Sequence, residues 1–159
     1  MDFKLINVGI ADTAISTSPN VLRTILGSCV GICLYHAGSR TGGMAHIMLP
    51  EPRSDMHTPH KYASTAIPLM LEGFYSRGIE RIHLSAKIIG GATMFNLSEN
   101  SMMSEIGRNN IKKVKEVLDE NRIALVAEDT GGTWGRTVDF YLSNGEIKIK
   151  SMNKTERII

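Results

Sequence analysis

The stretch CVGICLYHAGSRTGGMAHIML, residues 29–49, holds two apolar runs that flank a glycine-rich segment. The first run, 29–36, has the β-branched and apolar composition of a buried strand, and residues 44–49 have the same character. The glycines between the runs predict a turn at 37–43. Two strands joined by a short turn are typical of a β-hairpin, so we expect these segments to pair.

Further strands are expected on both sides of this hairpin, and strands should outnumber helices. No helix or strand is predicted for residues 21–28, which precede Cys29. A second hairpin is expected within 136–150, because Asn144 and Gly145 are a residue pair typical of a type I′ turn. The tail, 153–159, is predicted to fray. The other predicted strands are 4–11, 81–89 and 123–129.

Two helices are predicted from apolar residues at helical spacing. The first covers 61–78, begins behind the capping pair Thr58 and Pro59, and should bend or break at Pro68. The second covers 104–122 and is strongly amphipathic. The apolar stripe of this second helix consists of Ile111, Val114, Val117 and Leu118.

The composition is that of an ordinary soluble globular protein. The chain is 42% hydrophobic and 21% charged, and 159 residues are enough to bury a core without disulfides or metal. A net charge of +2, with no run of basic residues, gives no argument for nucleic-acid binding. No signal peptide and no membrane span is recognised, so a cytoplasmic protein without membrane insertion is expected. The chain is predicted to be one α/β domain, 1–159, with mostly antiparallel or mixed sheets and two main helices.

Cys29 is the first candidate for chemistry, as a nucleophile, a metal ligand, half of a disulfide or a small core residue. A cysteine in an apolar run is most often a small buried hydrophobe. Gly27 and Ser28 favour a functional role, because small residues leave room for a ligand and can free backbone N–H groups for an oxyanion hole. The core alternative stays open on these residues alone.

The spacing of Cys29 and Cys33 disfavours two of these alternatives. Residues four apart on a strand are separated by about 13 Å. That separation is too long for two thiolates on one zinc ion and for a local disulfide. Cys33 is therefore predicted to be a core residue, and neither a metal site nor a disulfide is expected.

Histidines that could activate Cys29 are judged by their place in the hairpin. His46, on the second strand, can lie opposite Cys29 on the first. His36 shares the strand of Cys29, but an odd separation places it on the opposite face. His57 and His60 lie in a proline-rich loop and are predicted to be solvated.

Six stretches of the chain together resemble one protein family. This set of motifs runs in family order, covers nearly the whole chain and resembles the CheD family, the chemoreceptor glutamine deamidases of bacterial and archaeal chemotaxis. The stretches are TILGSCVGICLY (24–35), GGMAHIMLP (42–50), KYASTAIPLM (61–70), AKIIGGATMF (86–95), IGRNN (106–110) and EDTGGTWGRTVDFYLSNGEIKIK (128–150).

The resemblance implies both an activity and a fold. CheD-like proteins hydrolyse particular glutamine side chains of methyl-accepting chemotaxis receptors to glutamates and ammonia, and some are also credited with hydrolysing receptor methyl esters. In several systems they bind the CheC phosphatase. The family fold is a layered α/β structure likened to the catalytic domain of glutamine-deamidating toxins. A competing hypothesis is a non-catalytic binding module that regulates a CheC-like phosphatase.

The resemblance also assigns the site residues. The catalytic cysteine and histidine of the family fall on Cys29 and His46, and Thr24 matches the upstream threonine that orients the imidazole. Cys29 is expected to attack the glutamine amide as a thiolate in an ion pair with His46, without any cofactor. Gly27 and Ser28 are expected beside the oxyanion. The glycine-rich loops at 90–91 and 131–135 are expected at the rim of a shallow groove, and Trp134 is expected to be an anchor.

Overall fold

The computed structural model describes residues 2–54, 58–94 and 105–159, which form two β-sheets and two α-helices. The helices are α1 (Ala63–Tyr75) and α2 (Ile106–Glu120), and short 3₁₀ turns cover Pro59–Lys61 and Arg81–His83. The strands within the described residues are β1 (Leu5–Asn7), β2 (Asp12–Thr17), β3 (Val21–Leu26), β4 (Val30–His36), β5 (Thr41–Ile47), β6 (Ser85–Gly90), β7 (Ala124–Thr130), β8 (Arg136–Tyr141), β9 (Ile147–Lys150) and β10 (Arg157–Ile158).

Each sheet has five strands, and most of the pairs are antiparallel. The central sheet has the order β2-β5-β4-β6-β7, and the outer sheet has the order β1-β3-β8-β9-β10. Among the described strands, only β1–β3 and β6–β7 pair in parallel. The β6–β7 pair is joined through α2, as parallel neighbours require a crossover. The predicted α/β class, with mixed sheets and two main helices, is confirmed.

The central sheet has a core on each face because its side chains alternate. Val30, Ile32 and Leu34 of β4 pack against the helices, whereas Cys33 lies in the core between the two sheets. Helix α1 contributes Ile67, Met70 and Phe74 to the first core, and the outer sheet contributes Leu22, Val138 and Phe140 to the second. The molecule is thus layered as outer sheet, central sheet and helices.

The N-terminal half departs from the prediction in where its strands run. The expected strand 4–11 ends at Asn7, and the chain turns through Ala11, which has a φ of 59°, into β2. Strand β3 lies within residues 21–28, where no helix or strand is predicted. Its apolar pattern is interrupted by Arg23 and by Thr24, so the sequence signal for this strand is weak. The predicted strand 81–89 begins later and ends one residue later, as Ser85–Gly90, because Arg81–His83 form a 3₁₀ turn.

Both helices form, with shorter bounds than predicted. Tyr62, rather than Thr58, precedes α1, and the helix runs unbroken through Pro68. Pro68 is exposed, and the buried face of α1 holds the helix against the central sheet. The predicted stripe of α2 is confirmed, while Ser104 lies outside the described residues. No helix in the described ranges is both long and apolar enough to span a membrane.

The C-terminal hairpin and tail also differ from the prediction. The loop between Tyr141 and Glu146 has four residues, and within it only Gly145 has a positive φ, of 80°. A type I′ turn needs positive φ at both central residues, so that prediction is wrong. The tail does not fray, because Arg157–Ile158 pairs with β9.

Candidate active site

Cys29 lies in a bend that carries the chain from the outer sheet to the central sheet. Strand β3 ends at Leu26 and β4 begins at Val30, so Cys29 stands just outside the strand in which it was predicted. Its side chain is half-buried. Gly90 packs against this bend with a φ of 106°, and a Cβ there would lie 2.4 Å from the Cys29 carbonyl oxygen. Only glycine fits this position without displacing the bend.

His46 lies on β5, on the same face of the central sheet as the Cys29 side chain. The residue directly opposite His46 is Gly31, not Cys29 as predicted. Cys29 lies in the bend two residues before Gly31 and packs against the core between the two sheets, on the side where His46 contacts the outer sheet. The hairpin therefore places the Cys29 bend and His46 on the same side of the central sheet.

Thr24 joins this pair from the outer sheet. Its Oγ1 lies 2.8 Å from His46 Nδ1 and donates to the Val8 carbonyl oxygen at 2.7 Å. A threonine hydroxyl has a single proton, so Oγ1 must accept the proton of Nδ1. His46 Nε2 is then unprotonated and carries a lone pair, which is the form that a general base requires.

The surroundings of the thiol and the imidazole favour their neutral forms. Burial raises the pKa of Cys29 above 9.0, opposed by its own backbone N–H, and burial lowers the pKa of His46 below 6.5, opposed by the Val8 carbonyl. Nε2 is buried and has no hydrogen-bond partner among the described residues. Both shifts disfavour the predicted ion pair at rest. The arrangement suits transfer of the thiol proton to Nε2 during attack.

The raised pKa values of the two thiols predict how Cys29 and Cys33 react with iodoacetamide. In the folded protein Cys29 should be alkylated at least about 10²-fold faster than Cys33, which is 1% exposed and whose pKa burial also raises. Because the thiolate reacts, the Cys29 rate should keep rising with pH through 9.0. Quenched digests analysed by mass spectrometry would measure both rates. A rate that levels off near neutral pH would contradict the raised pKa.

The two glycine-rich loops lie beside the Cys29 bend. Gly131 N–H donates to the Gly90 carbonyl at 2.9 Å, and Thr93 N–H donates to the Gly132 carbonyl at 2.9 Å. Trp134 is half-buried, and Lys154 Nζ lies 3.9 Å from the centre of its ring. This cation–π contact and the packing on Gly132 support the role of Trp134 as an anchor.

A buried guanidinium fastens the second of these loops. Arg136 donates through Nε to Asp129 Oδ1 at 3.0 Å and through Nη2 to the Gly131 carbonyl at 2.9 Å. The side chain of Arg136 is only 1% exposed. Arg157 contacts the other carboxylate oxygen of Asp129 at 3.1 Å but lies at the surface. The two hydrogen bonds of the Arg136 guanidinium therefore fix the loop that borders the Cys29 bend.

Replacing Arg136 by lysine should lower the free energy of unfolding by about 2 kcal/mol, because one ammonium cannot meet the acceptors that the fork satisfies. Urea titration would measure the change. The matched control is Arg157→Lys, which alters an exposed contact to the same carboxylate and should cost less than about 0.5 kcal/mol. Equal costs for the two variants would contradict the assigned role of the Arg136 fork.

Among the described residues, the other candidates form no hydrogen bond to Cys29, His46 or Thr24. Cys33 is a core residue, as predicted, and both cysteines are free. His36 contacts Ser39 at the far end of β4. His60 is half-buried rather than solvated, with Nδ1 2.9 Å from Thr13 Oγ1, and His57 lies outside the described residues. In the part of the chain that the structure describes, no three metal-ligating side chains come together.

The sequence analysis missed Asn110 and the ion pair of Arg136 with Asp129. Asn110 is fully buried on α2, with its amide nitrogen 3.2 Å from the Ser28 carbonyl oxygen. Asn110 lies four residues before Val114, on the same face as the apolar stripe, so its polar side chain there was an available signal. The buried ion pair of Arg136 with Asp129 left no comparable signal, because charged residues at strand ends are usually solvated.

Comparison with known proteins places the chain in one family. The family described as CheD, chemotactic sensory transduction, matches residues 48–151. Relatives named probable chemoreceptor glutamine deamidase CheD include proteins of Clostridium novyi (45% identical, 97% of each chain), Clostridium kluyveri (44%, 96% of each) and Clostridium botulinum strain Hall (46%, 96% of each). These relatives span the Cys29 bend and His46 as well as the matched range. The chain belongs to the CheD family.

Proposed function

We propose that this protein hydrolyses glutamine side chains of methyl-accepting chemotaxis receptors to glutamates, with Cys29 as the nucleophile. The observation that carries the proposal is the state of His46, whose Nδ1 is held by Thr24 while Nε2 keeps a free lone pair on the face shared with Cys29. The names of the relatives supply the substrate class. The substrate would be the cytoplasmic helices of the receptors, which lie in the compartment predicted for this protein.

The first half of the reaction forms a thioester. As Cys29 Sγ bonds to the amide carbon, its proton passes to His46 Nε2, and the carbonyl oxygen takes up negative charge. Backbone N–H groups in the bend of Gly27, Ser28 and Cys29 stabilise this oxyanion. The C–N bond then breaks, and the imidazolium returns its proton to the departing nitrogen, which leaves as ammonia.

The second half of the reaction releases glutamate. His46 Nε2 takes a proton from water, whose oxygen bonds to the thioester carbon. The C–S bond breaks, and the proton returns to Sγ to regenerate the thiol. Thr24 keeps Nδ1–H in place throughout, so the imidazole has one tautomer and one orientation. These steps need no metal or organic cofactor.

A methyl ester could follow the same path with methanol as the leaving group. Mass spectrometry of a receptor cytoplasmic fragment, incubated with the protein, tests both activities. Conversion of specific glutamines to glutamate, with ammonia released, is the expected result, and a methylated fragment tests ester hydrolysis in parallel. If every glutamine stays intact while the protein binds a CheC-like phosphatase, the binding-module hypothesis is favoured instead.

A further inference from the structure

The Asn110 side chain connects helix α2 to the two chain segments that carry the site. Its Nδ2 donates to the Ser28 carbonyl at 3.2 Å and to the Met48 carbonyl at 2.8 Å. Ser28 directly precedes Cys29, and Met48 follows the end of β5 by one residue, two residues after His46. One buried amide group therefore contacts the nucleophile bend and the continuation of the strand that bears the base.

The bend is held by its carbonyl groups. Ala92 N–H donates to the Gly27 carbonyl at 3.0 Å, and Gly91 N–H donates to the Cys29 carbonyl at 2.8 Å. These two donors belong to the backbone and follow from the fold. The middle carbonyl, that of Ser28, is held by the Asn110 side chain. The orientation of the Ser28 carbonyl thus depends on an asparagine side chain at position 110.

That carbonyl sets the direction of the Cys29 N–H. In a trans peptide the C=O of one residue and the N–H of the next point in opposite directions. The peptide between Ser28 and Cys29 is trans, so a Ser28 carbonyl turned toward Asn110 turns the Cys29 N–H away from α2.

We infer that Asn110 is a positioning residue that fixes the Cys29 N–H as an oxyanion donor, by holding the Ser28 carbonyl from the opposite side. The inference rests on the proposed deamidation and adds a residue to it. The Met48 contact lets the same amide keep the bend in register with the strand of His46.

Two features separate this role from simple packing. Asn110 Oδ1 is buried without a hydrogen-bond partner among the described residues, a costly arrangement that an apolar side chain in the stripe would avoid. Gly107, one turn earlier, lets α2 approach closely, since a Cβ there would lie 2.4 Å from the Gly91 carbonyl oxygen. The helix is thus set directly against the loop that holds the bend.

The test compares two reactions of Cys29 in Asn110→Leu, which fills the same space without a donor. Deamidation of a receptor fragment develops an oxyanion, whereas alkylation by iodoacetamide does not. We expect kcat for deamidation to fall by about 10- to 100-fold with KM little changed, because a misplaced donor loses much of its effect. The alkylation rate constant of Cys29 should stay within about threefold of the wild-type value.

The matched control is Asn109→Leu, on the exposed face of the same helix turn, which should leave both rates unchanged. If Asn110→Leu gives no cooperative thermal transition, Asn110→Ala, which also removes the donor, carries the same comparison. Parallel loss of both rates, or no loss of either, would overturn the inference. Failure of the wild-type protein to deamidate would instead overturn the proposed function and this inference with it.

Discussion

Replacing Cys29 by alanine is expected to lower ammonia release from a receptor fragment by at least about 10⁴-fold, because loss of the nucleophile removes the covalent path altogether. The half-buried side chain lies in a bend held by backbone bonds of the Gly27 and Cys29 carbonyls, so the fold should persist. A coupled ammonia assay measures the rate, and thermal unfolding reports the fold.

The second cysteine provides the control for this experiment. Cys33→Ala removes a thiol from the core between the sheets, which should cost some stability through a small cavity but leave most of the activity. If Cys29→Ala retained the wild-type rate, or if the two alanine variants lost activity equally, Cys29 would not be the nucleophile.

Replacing His46 by asparagine should lower kcat by about 10³-fold, the usual range for loss of a general acid and base. The asparagine amide can still reach toward Thr24 Oγ1 in place of Nδ1, so the substitution mainly removes the Nε2 atom. Because Nε2 acts in the proton transfers rather than in binding, KM should change little. Steady-state rates with the receptor fragment would measure both constants.

His60 offers a control of the same chemistry. Its Nδ1 also lies beside a threonine hydroxyl, Thr13 Oγ1 at 2.9 Å, but Thr13 pairs with Ala45, so this contact lies on the opposite face of the central sheet from His46. His60→Asn therefore deletes the same atoms from a similar pair and should retain activity. Equal kcat values for the His46→Asn and His60→Asn proteins would show that the imidazole beside Cys29 takes no part in the chemistry.

The part of the site that lies within one hairpin could be predicted from the sequence. Strand pairing, once the hairpin is recognised, brings His46 beside the chain segment that begins at Cys29. The exact partner of His46, Gly31, could not be obtained, because the register depends on the length and type of the turn between the two strands. The family resemblance, not the periodicity, pointed to Thr24.

The contacts between layers could not be predicted from local pattern. Thr24 reaches His46 from the other sheet, and Asn110 reaches Ser28 from the helix layer. Such contacts join residues 22 and 82 positions apart, whose meeting depends on how the layers stack. Local signals also failed at Pro68, where burial of the helix face outweighs the preference of proline to end a helix.

The most direct test of the Cys29 mechanism is site-resolved mass spectrometry of a receptor cytoplasmic fragment treated with the protein in the presence of hydroxylamine. A thioester on Cys29 is open to either water or hydroxylamine. The same glutamines should therefore become both glutamate and hydroxamate with the wild-type protein, and neither product should form with Cys29→Ala. Glutamate formed without hydroxamate, at an undiminished rate in the alanine variant, would contradict the account.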